Sequence, residues 1–359
     1  MLESSTRYCT VFLVAMTGAS LAHAQKSPAS LTDCRAIADG VSRLACYDGL
    51  AARDDGKAPL ATPVAATAAA TQAAGQGPAS EERKVAANAT PASTSIIDAA
   101  WGFNPDSEPY QIGFYRSNYL LAARYSDNVN RAPFSPLAKA FGQPDFDLNN
   151  TEAKFQLSFK ARLWTTDDRQ WGVWAGYTQQ SQWQIYNGNE SRPFRDTNYM
   201  PELFVSYRPD VELGAGFNWK LLNVGYNHQS NGRSDILSRS WDRLFATFGV
   251  EKENLALMGT VWYRIPEDQN QDDNPDITDY YGYGEISALY RWRGNSFSVS
   301  GRGNIAKGKG AVQAGWFSPP LIGPLRGYVQ VFSGYGESLI DYNWKQTTVG
   351  AGIALSDGL

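Results

Sequence analysis

A histidine and a serine stand two residues apart in the stretch GYNHQSNGRSD, residues 225–235, and an aspartate, Asp242, follows beyond the next turn. These residue types match the three roles of a serine hydrolase. A serine hydroxyl is a poor nucleophile unless a base takes its proton. An imidazole suits that task near neutral pH. A third group must fix the imidazole tautomer and stabilise the imidazolium. The chain of 359 residues holds two histidines, His23 and His228, and His23 lies in a segment with the marks of a cleaved leader. On its own the pattern carries little, because H-x-S is common and a lone surface histidine is usually inert. It gains weight only if the backbone projects the three side chains together.

Residues 219–230 (WKLLNVGYNHQS) read as a β-strand. Strand residues i and i+2 share a face, so His228 and Ser230 project together above Val224 and Tyr226. Gly225, Asn227 and Gln229 take the opposite face. In the next run, 240–251, Asp242 projects with Leu244, Ala246 and Phe248, and antiparallel pairing brings it beside His228. The candidate site therefore lies on the apolar face of both strands.

The same period of two recurs along the chain. TEAKFQLSFKARLW (151–164) alternates Phe155, Leu157, Phe159, Ala161 and Leu163 against Lys154, Gln156, Ser158, Lys160 and Arg162. Twelve such runs are legible: 115–124, 151–164, 171–183, 198–208, 219–230, 240–251, 255–264, 283–293, 296–304, 310–318, 326–335 and 345–356. A soluble sandwich also alternates, with its polar face outward. Two features favour the inverted, membrane version. The runs are long enough to cross a bilayer when tilted, and Trp164, Trp171, Trp183, Trp219, Trp241, Trp262 and Trp292 recur near their ends, as interfacial girdles do. The expected fold is all-β, a twelve-stranded antiparallel transmembrane barrel. Polar groups facing hydrocarbon are costly and usually mark function, which is what lifts His228, Ser230 and Asp242 above chance.

Other features set the context. A formal charge of −4 and a pI near 5.4 give no reason to expect nucleic acid, and 43% hydrophobic residues exclude a disordered chain. Residues 1–24 read as a signal peptide, with an apolar core and an Ala22-His23-Ala24 cleavage site. Residues 25–52 form a short helical segment with Cys34 and Cys46. A straight helix would hold these about 18 Å apart, beyond the roughly 7 Å reach of a disulfide. A Cys34–Cys46 bond thus needs a fold-back at Gly40; otherwise the two are unpaired. Residues 53–97 are Ala- and Pro-rich linker, and 98–359 the barrel. With both termini periplasmic, the turn 231–239 and the acidic stretch Asp272-Asp273-Asn274-Pro275-Asp276 lie at the cell surface. Their carboxylates, hydroxyls and carbonyls are calcium-type donors, or an ordinary solvated loop. The spacing is not that of an EF-hand, and no zinc pattern exists.

The stretches YNHQSNGRSDILSRSWDRL (226–244), PFRDTNY (193–199), DDNPDIT (272–278) and SGYGESLIDYN (333–343) resemble the outer membrane phospholipase A family of Gram-negative bacteria. The resemblance covers about residues 100–359. It implies a calcium-dependent phospholipase A1 and A2, with lysophospholipase activity, that acts on glycerophospholipids in the outer membrane. It implies a resting monomer and an active homodimer. On matching positions, Ser230 is the nucleophile and His228 the base, and the family's asparagine stands as Asp242 here. Ser238 by its hydroxyl, Arg233 by its carbonyl and Ser191 from a second subunit resemble ligands of a catalytic calcium. Asp235 and Asp273 resemble a second calcium site, and Gln179 a residue of the dimer contact. Two competing readings are a non-enzymatic pore or scaffold, whose lumen Lys154, Lys160 and Arg162 would line, and a lipid A deacylase.

Overall fold

Lys154, Lys160 and Arg162 are among the most deeply buried side chains, at 0%, 1% and 3% exposure, while Leu157, Phe159 and Leu163 of the same strand stand at 51%, 47% and 50%. A soluble protein would reverse that order. Charged side chains turned inward and apolar ones turned outward are the signature of a barrel in lipid.

The computed structural model describes residues 95–140, 142, 146–268 and 272–358. The strands are β1 (Ile112–Phe114), β2 (Asn118–Ser126), β3 (Thr151–Thr165), β4 (Trp171–Trp183), β5 (Phe194–Tyr207), β6 (Val211–Gly214), β7 (Phe217–Ser230), β8 (Ser240–Lys252), β9 (Leu255–Arg264), β10 (Gly284–Trp292), β11 (Asn295–Asn304), β12 (Lys309–Ile322), β13 (Leu325–Tyr335) and β14 (Lys345–Ser356). Three short helices accompany them: α1 (Ile96–Trp101), α2 (Ser135–Ala140) and α3 (Ile277–Tyr281). β1 only lengthens the edge of β3, and β6 folds back on the start of β7. The other twelve strands pair antiparallel in a ring, which β14 closes on β2 through pairs such as Val349↔Tyr125. Closure leaves no unpaired edge, the condition for a sheet to lie in hydrocarbon. The twelve runs read from the sequence match these twelve strands to within a few residues. Among the described residues no helix is long and apolar enough to cross a membrane. The signal peptide, the cysteine pair and the linker as far as residue 94 lie outside the described residues. The last three linker positions, 95–97, instead start α1: Ser95 caps it by accepting from Asp98 N, and Ile96 and Ile97 are buried.

The barrel has a short-turn end and a long-loop end, and each closes the lumen differently. At the short-turn end α1 packs on inward side chains. Trp101 meets Tyr115, Trp174 and Phe204 at ring separations of 6.0, 5.8 and 5.7 Å. Lys160 Nζ lies 3.4 Å from the Trp101 ring centroid, a cation–π contact in a site with little water. Arg162 donates to Gly102 O and Ser107 Oγ at 2.7 and 3.0 Å. At the long-loop end the 336–344 loop joins an ion-pair network. Arg124 pairs with Glu152 at 2.8 Å and with Glu337, Lys154 with Glu337 at 3.0 Å, and Arg195 with Glu152 and Asp341 at 3.0 and 2.8 Å. Burying charge is tolerable only with such pairing. All three cations of the pore reading are thus engaged with protein, and none lines an open channel.

Candidate active site

The register of β7 on β8 sets His228 opposite Asp242 and Ser230 opposite Ser240. His228 Nδ1 and Asp242 Oδ1 are 2.8 Å apart. An ionised carboxylate only accepts, so Nδ1 donates; in a neutral imidazole this contact leaves the lone pair on Nε2, the tautomer a general base needs. Ser230 shares the outward face with His228, but among the described residues no hydrogen bond joins its hydroxyl to the ring. Such bonds are often loose without substrate. The surroundings are apolar and outward-facing: Val224, Tyr226, Leu244 and Leu203 are 54%, 41%, 51% and 54% exposed. An acyl chain lying along this wall would reach Ser230 without leaving hydrocarbon.

The opposite face of the same two strands holds the pairing together. Arg243 donates through Nε and Nη2 to Asn227 Oδ1 at 2.8 and 2.6 Å, and through Nη2 to Gln229 Oε1 at 3.1 Å. Trp241 Nε1 donates to the same Gln229 oxygen at 3.0 Å. The Arg243 guanidinium also stacks 4.0 Å from the Trp241 ring centroid. These four residues alternate with His228 and Asp242 along the two strands. The luminal clamp therefore opposes a register slip, which would separate His228 from Asp242 on the outward face.

Beyond Ser230 the turn is tied by Asn231. Its backbone N–H donates to Arg239 O at 3.0 Å. Its side-chain amide donates to Leu237 O at 2.8 Å, and Oδ1 accepts from the N–H groups of Arg233 and Arg239 at 3.3 and 3.0 Å. Gly232 sits at φ 61 with a Cβ position only 3.0 Å from the Tyr199 ring, so a side chain there would be strained twice over. The bracing roles of Asn231 and Gly232 are not legible in the sequence. Asn231 and Gly232 fall inside the quoted motif, but their roles depend on partners across the turn.

The calcium-type residues are distributed. Ser238 Oγ donates to Asp273 Oδ2 at 2.5 Å, so the turn and the acidic loop meet there. The Arg233 side chain is held away on Phe194 O and Arg195 O at 2.7 and 3.1 Å. Asp235 is exposed at φ 53 in the same turn. Ser191 lies on a separate turn at φ 57, with no hydrogen bond to the 231–239 turn among the described residues. The donors are all oxygens, which fits a hard cation. Among the described residues no group of three or more His, Cys, Asp or Glu converges, so a cation held here would draw on hydroxyls and carbonyls as well as carboxylates. Gln179 faces outward on β4, bonded to Tyr177 at 3.2 Å and Ser181 at 3.3 Å. Ser181 in turn bonds Thr197 at 3.1 Å. This is a polar line on an otherwise apolar wall.

The fold agrees with what comparison finds. The model of the family described as Phospholipase A1 matches residues 102–355. The chain belongs to the phospholipase A1 family. A putative phospholipase A1 of Neisseria meningitidis is 37% identical over 350 residues, covering 90% of each chain. Phospholipase A1 of Escherichia coli K12 is 41% identical over 252 residues, covering 69% of this chain and 83% of that one. Among solved structures, the Salmonella typhi outer membrane phospholipase, a dimer with bound calcium, superposes with a TM-score of 0.64 at 39% identity. That match covers 73% of this chain and 98% of that one. The Escherichia coli outer membrane phospholipase A gives 0.63 at 38% identity, covering 69% of this chain and 99% of that one. This chain is therefore a phospholipase built on an outer-membrane barrel.

The contact at Asp242 makes the conservative substitution informative. In Asp242→Asn the amide oxygen can accept from Nδ1–H just as the carboxylate does. The expected loss of turnover for this phospholipase is below about 100-fold, against about 10⁴ for the same change in serine proteases. Steady-state kinetics of the variant check this, and a loss of protease size would show that the negative charge itself is required.

Proposed function

We propose that the phospholipase hydrolyses both the sn-1 and sn-2 acyl esters of glycerophospholipids, in a calcium-dependent manner, through Ser230, His228 and Asp242. It would release fatty acid and lysophospholipid, and act on lysophospholipid too. The observation that carries this reading is the 2.8 Å contact of His228 Nδ1 with Asp242 Oδ1 on the outward wall, two residues from Ser230 on the same strand face. His228 Nε2 takes the proton from Ser230 Oγ, which attacks the ester carbonyl. The same imidazole then protonates the leaving alkoxide. A water deprotonated by His228 releases the fatty acid from the acyl-enzyme. The amide of Gly232 donates to no other group among the described residues and lies two residues beyond Ser230, so it is a candidate donor to the oxyanion. Ser238 and the Arg233 carbonyl would hold the catalytic calcium, with Ser191 of a second subunit completing its shell. Asp235 and Asp273 would hold another. Bound calcium supplies positive charge beside the developing oxyanion.

The polar line through Gln179 supports pairing of two barrels, because polar groups facing lipid gain by meeting one another. Activity would then follow the passage from monomer to homodimer. A leader at residues 1–24 would direct export, leaving the segment up to the barrel in the periplasm.

The test is covalent. A long-chain alkyl sulfonyl fluoride is expected to modify Ser230 in calcium and much more slowly in chelator, read by mass spectrometry of the peptide. Equal labelling of the Ser230→Ala protein would sink the proposal.

A further inference from the structure

The oxygen of Asp242 that meets His228 has a second partner. Tyr226, two residues before His228 on the same outward face, places its hydroxyl 2.6 Å from Asp242 Oδ1. Two side chains thus converge on one oxygen atom of a third: the imidazole Nδ1 at 2.8 Å and the phenol at 2.6 Å. The carboxylate only accepts, so both neighbours must donate. Asp242 Oδ1 is the one acceptor the structure offers the phenol among the described residues. The Tyr226 ring is 41% exposed on the apolar wall, with Val224 below it and Leu244 opposite on β8.

We propose that Tyr226 is a positioning residue for the catalytic pair: its hydroxyl holds the side chain of residue 242 with an oxygen facing the imidazole, restraining the rotation of Asp242 and, in the Asp242→Asn variant, deciding which histidine tautomer is kept. The proposal rests on the Ser–His–Asp reading given above. With aspartate the two oxygens are chemically equal, so the tyrosine only restrains the rotation of the group. With asparagine the two atoms differ. An oxygen facing inward accepts from both the phenol and Nδ1–H. A flipped amide offers N–H to both, which strips the proton from Nδ1 and moves it to Nε2, where it blocks the attack on Ser230. The flipped state also leaves the phenol proton without an acceptor against hydrocarbon, an unfavourable arrangement. The tyrosine should therefore weigh little when residue 242 is Asp and heavily when it is Asn.

A double-mutant cycle in the full-length protein tests this, because residues that share a contact deviate from additivity while merely structural effects add. Turnover of a long-chain phosphatidylcholine in mixed micelles with calcium is measured for Tyr226→Phe, Asp242→Asn and the pair. Tyr226→Phe keeps the ring on the wall and is expected to lower kcat less than about 5-fold. The double variant is expected to fall at least about 10-fold below the product of the two single losses, with KM little changed. The tautomer is read directly by ¹⁵N NMR of histidine-labelled protein carrying His23→Gln, which leaves His228 as the only imidazole. At alkaline pH, Asp242→Asn should keep the proton on Nδ1 and the double variant should shift it toward Nε2. Barrel folding is checked for each variant by its faster migration on unheated gels. Additive losses in folded proteins, or an unchanged tautomer in the double variant, overturn the proposal. Activity surviving in Ser230→Ala would instead bring down the reading on which it rests.

Discussion

Ser230→Ala is expected to lower turnover by about 10⁵- to 10⁶-fold, the scale on which serine hydrolases lose activity when the nucleophile goes. The physical reason is that in the proposed mechanism His228 and Asp242 serve one task, taking the Ser230 proton. Without Oγ there would be no acyl-enzyme, and His228 could at most activate a water against an ester that no covalent bond holds in place. Substrate should still bind, because on the proposed reading the acyl chains would rest on the exposed Val224, Leu203 and Leu244 rather than on the hydroxyl. The barrel should be unaffected, since the β7–β8 register depends on backbone pairing and on the Arg243, Asn227, Gln229 and Trp241 contacts. Ester hydrolysis in detergent, compared with equilibrium binding of a non-hydrolysable ether lipid, separates the two. Hydrolysis within about tenfold of the parent would exclude Ser230 as the nucleophile.

Removing calcium is the second large effect. In chelator, turnover is expected to drop by roughly 10³-fold, the scale of losing one strong group that stabilises an oxyanion. Readdition of calcium should restore it. Magnesium should restore it poorly, because that ion sheds water reluctantly and demands stricter octahedral geometry than a turn and a loop can offer. Ser238→Ala should raise the calcium concentration needed for half-activation, since it removes one oxygen and frees Asp273 from its 2.5 Å bond. Full activity in chelator, with the protein stripped beforehand, would show that backbone donors such as Gly232 suffice alone.

The sequence by itself determined the parts of this protein that depend on local periodicity. Alternation with period two was enough to place twelve strands, to turn Leu157 and Phe159 outward and Lys154 and Lys160 inward, and to put His228 and Ser230 on one face. Antiparallel pairing across a short turn then brought Asp242 back to His228. Each of those inferences needs only neighbours along the chain or one hairpin, and the backbone geometry of a strand enforces them. The tertiary structure alone decided what plugs the lumen and what braces the site. Trp101 reaches Trp174 and Phe204, Arg195 reaches Asp341, and Arg243 grips Asn227 and Gln229. The phenol of Tyr226 shares the Asp242 oxygen with the imidazole, and Ser238 meets Asp273 of a different loop. No periodicity announces such contacts, because they join segments that come together only when the ring of strands closes. Their geometry is set by the curvature and register of the whole barrel, a property that no single stretch of the chain contains.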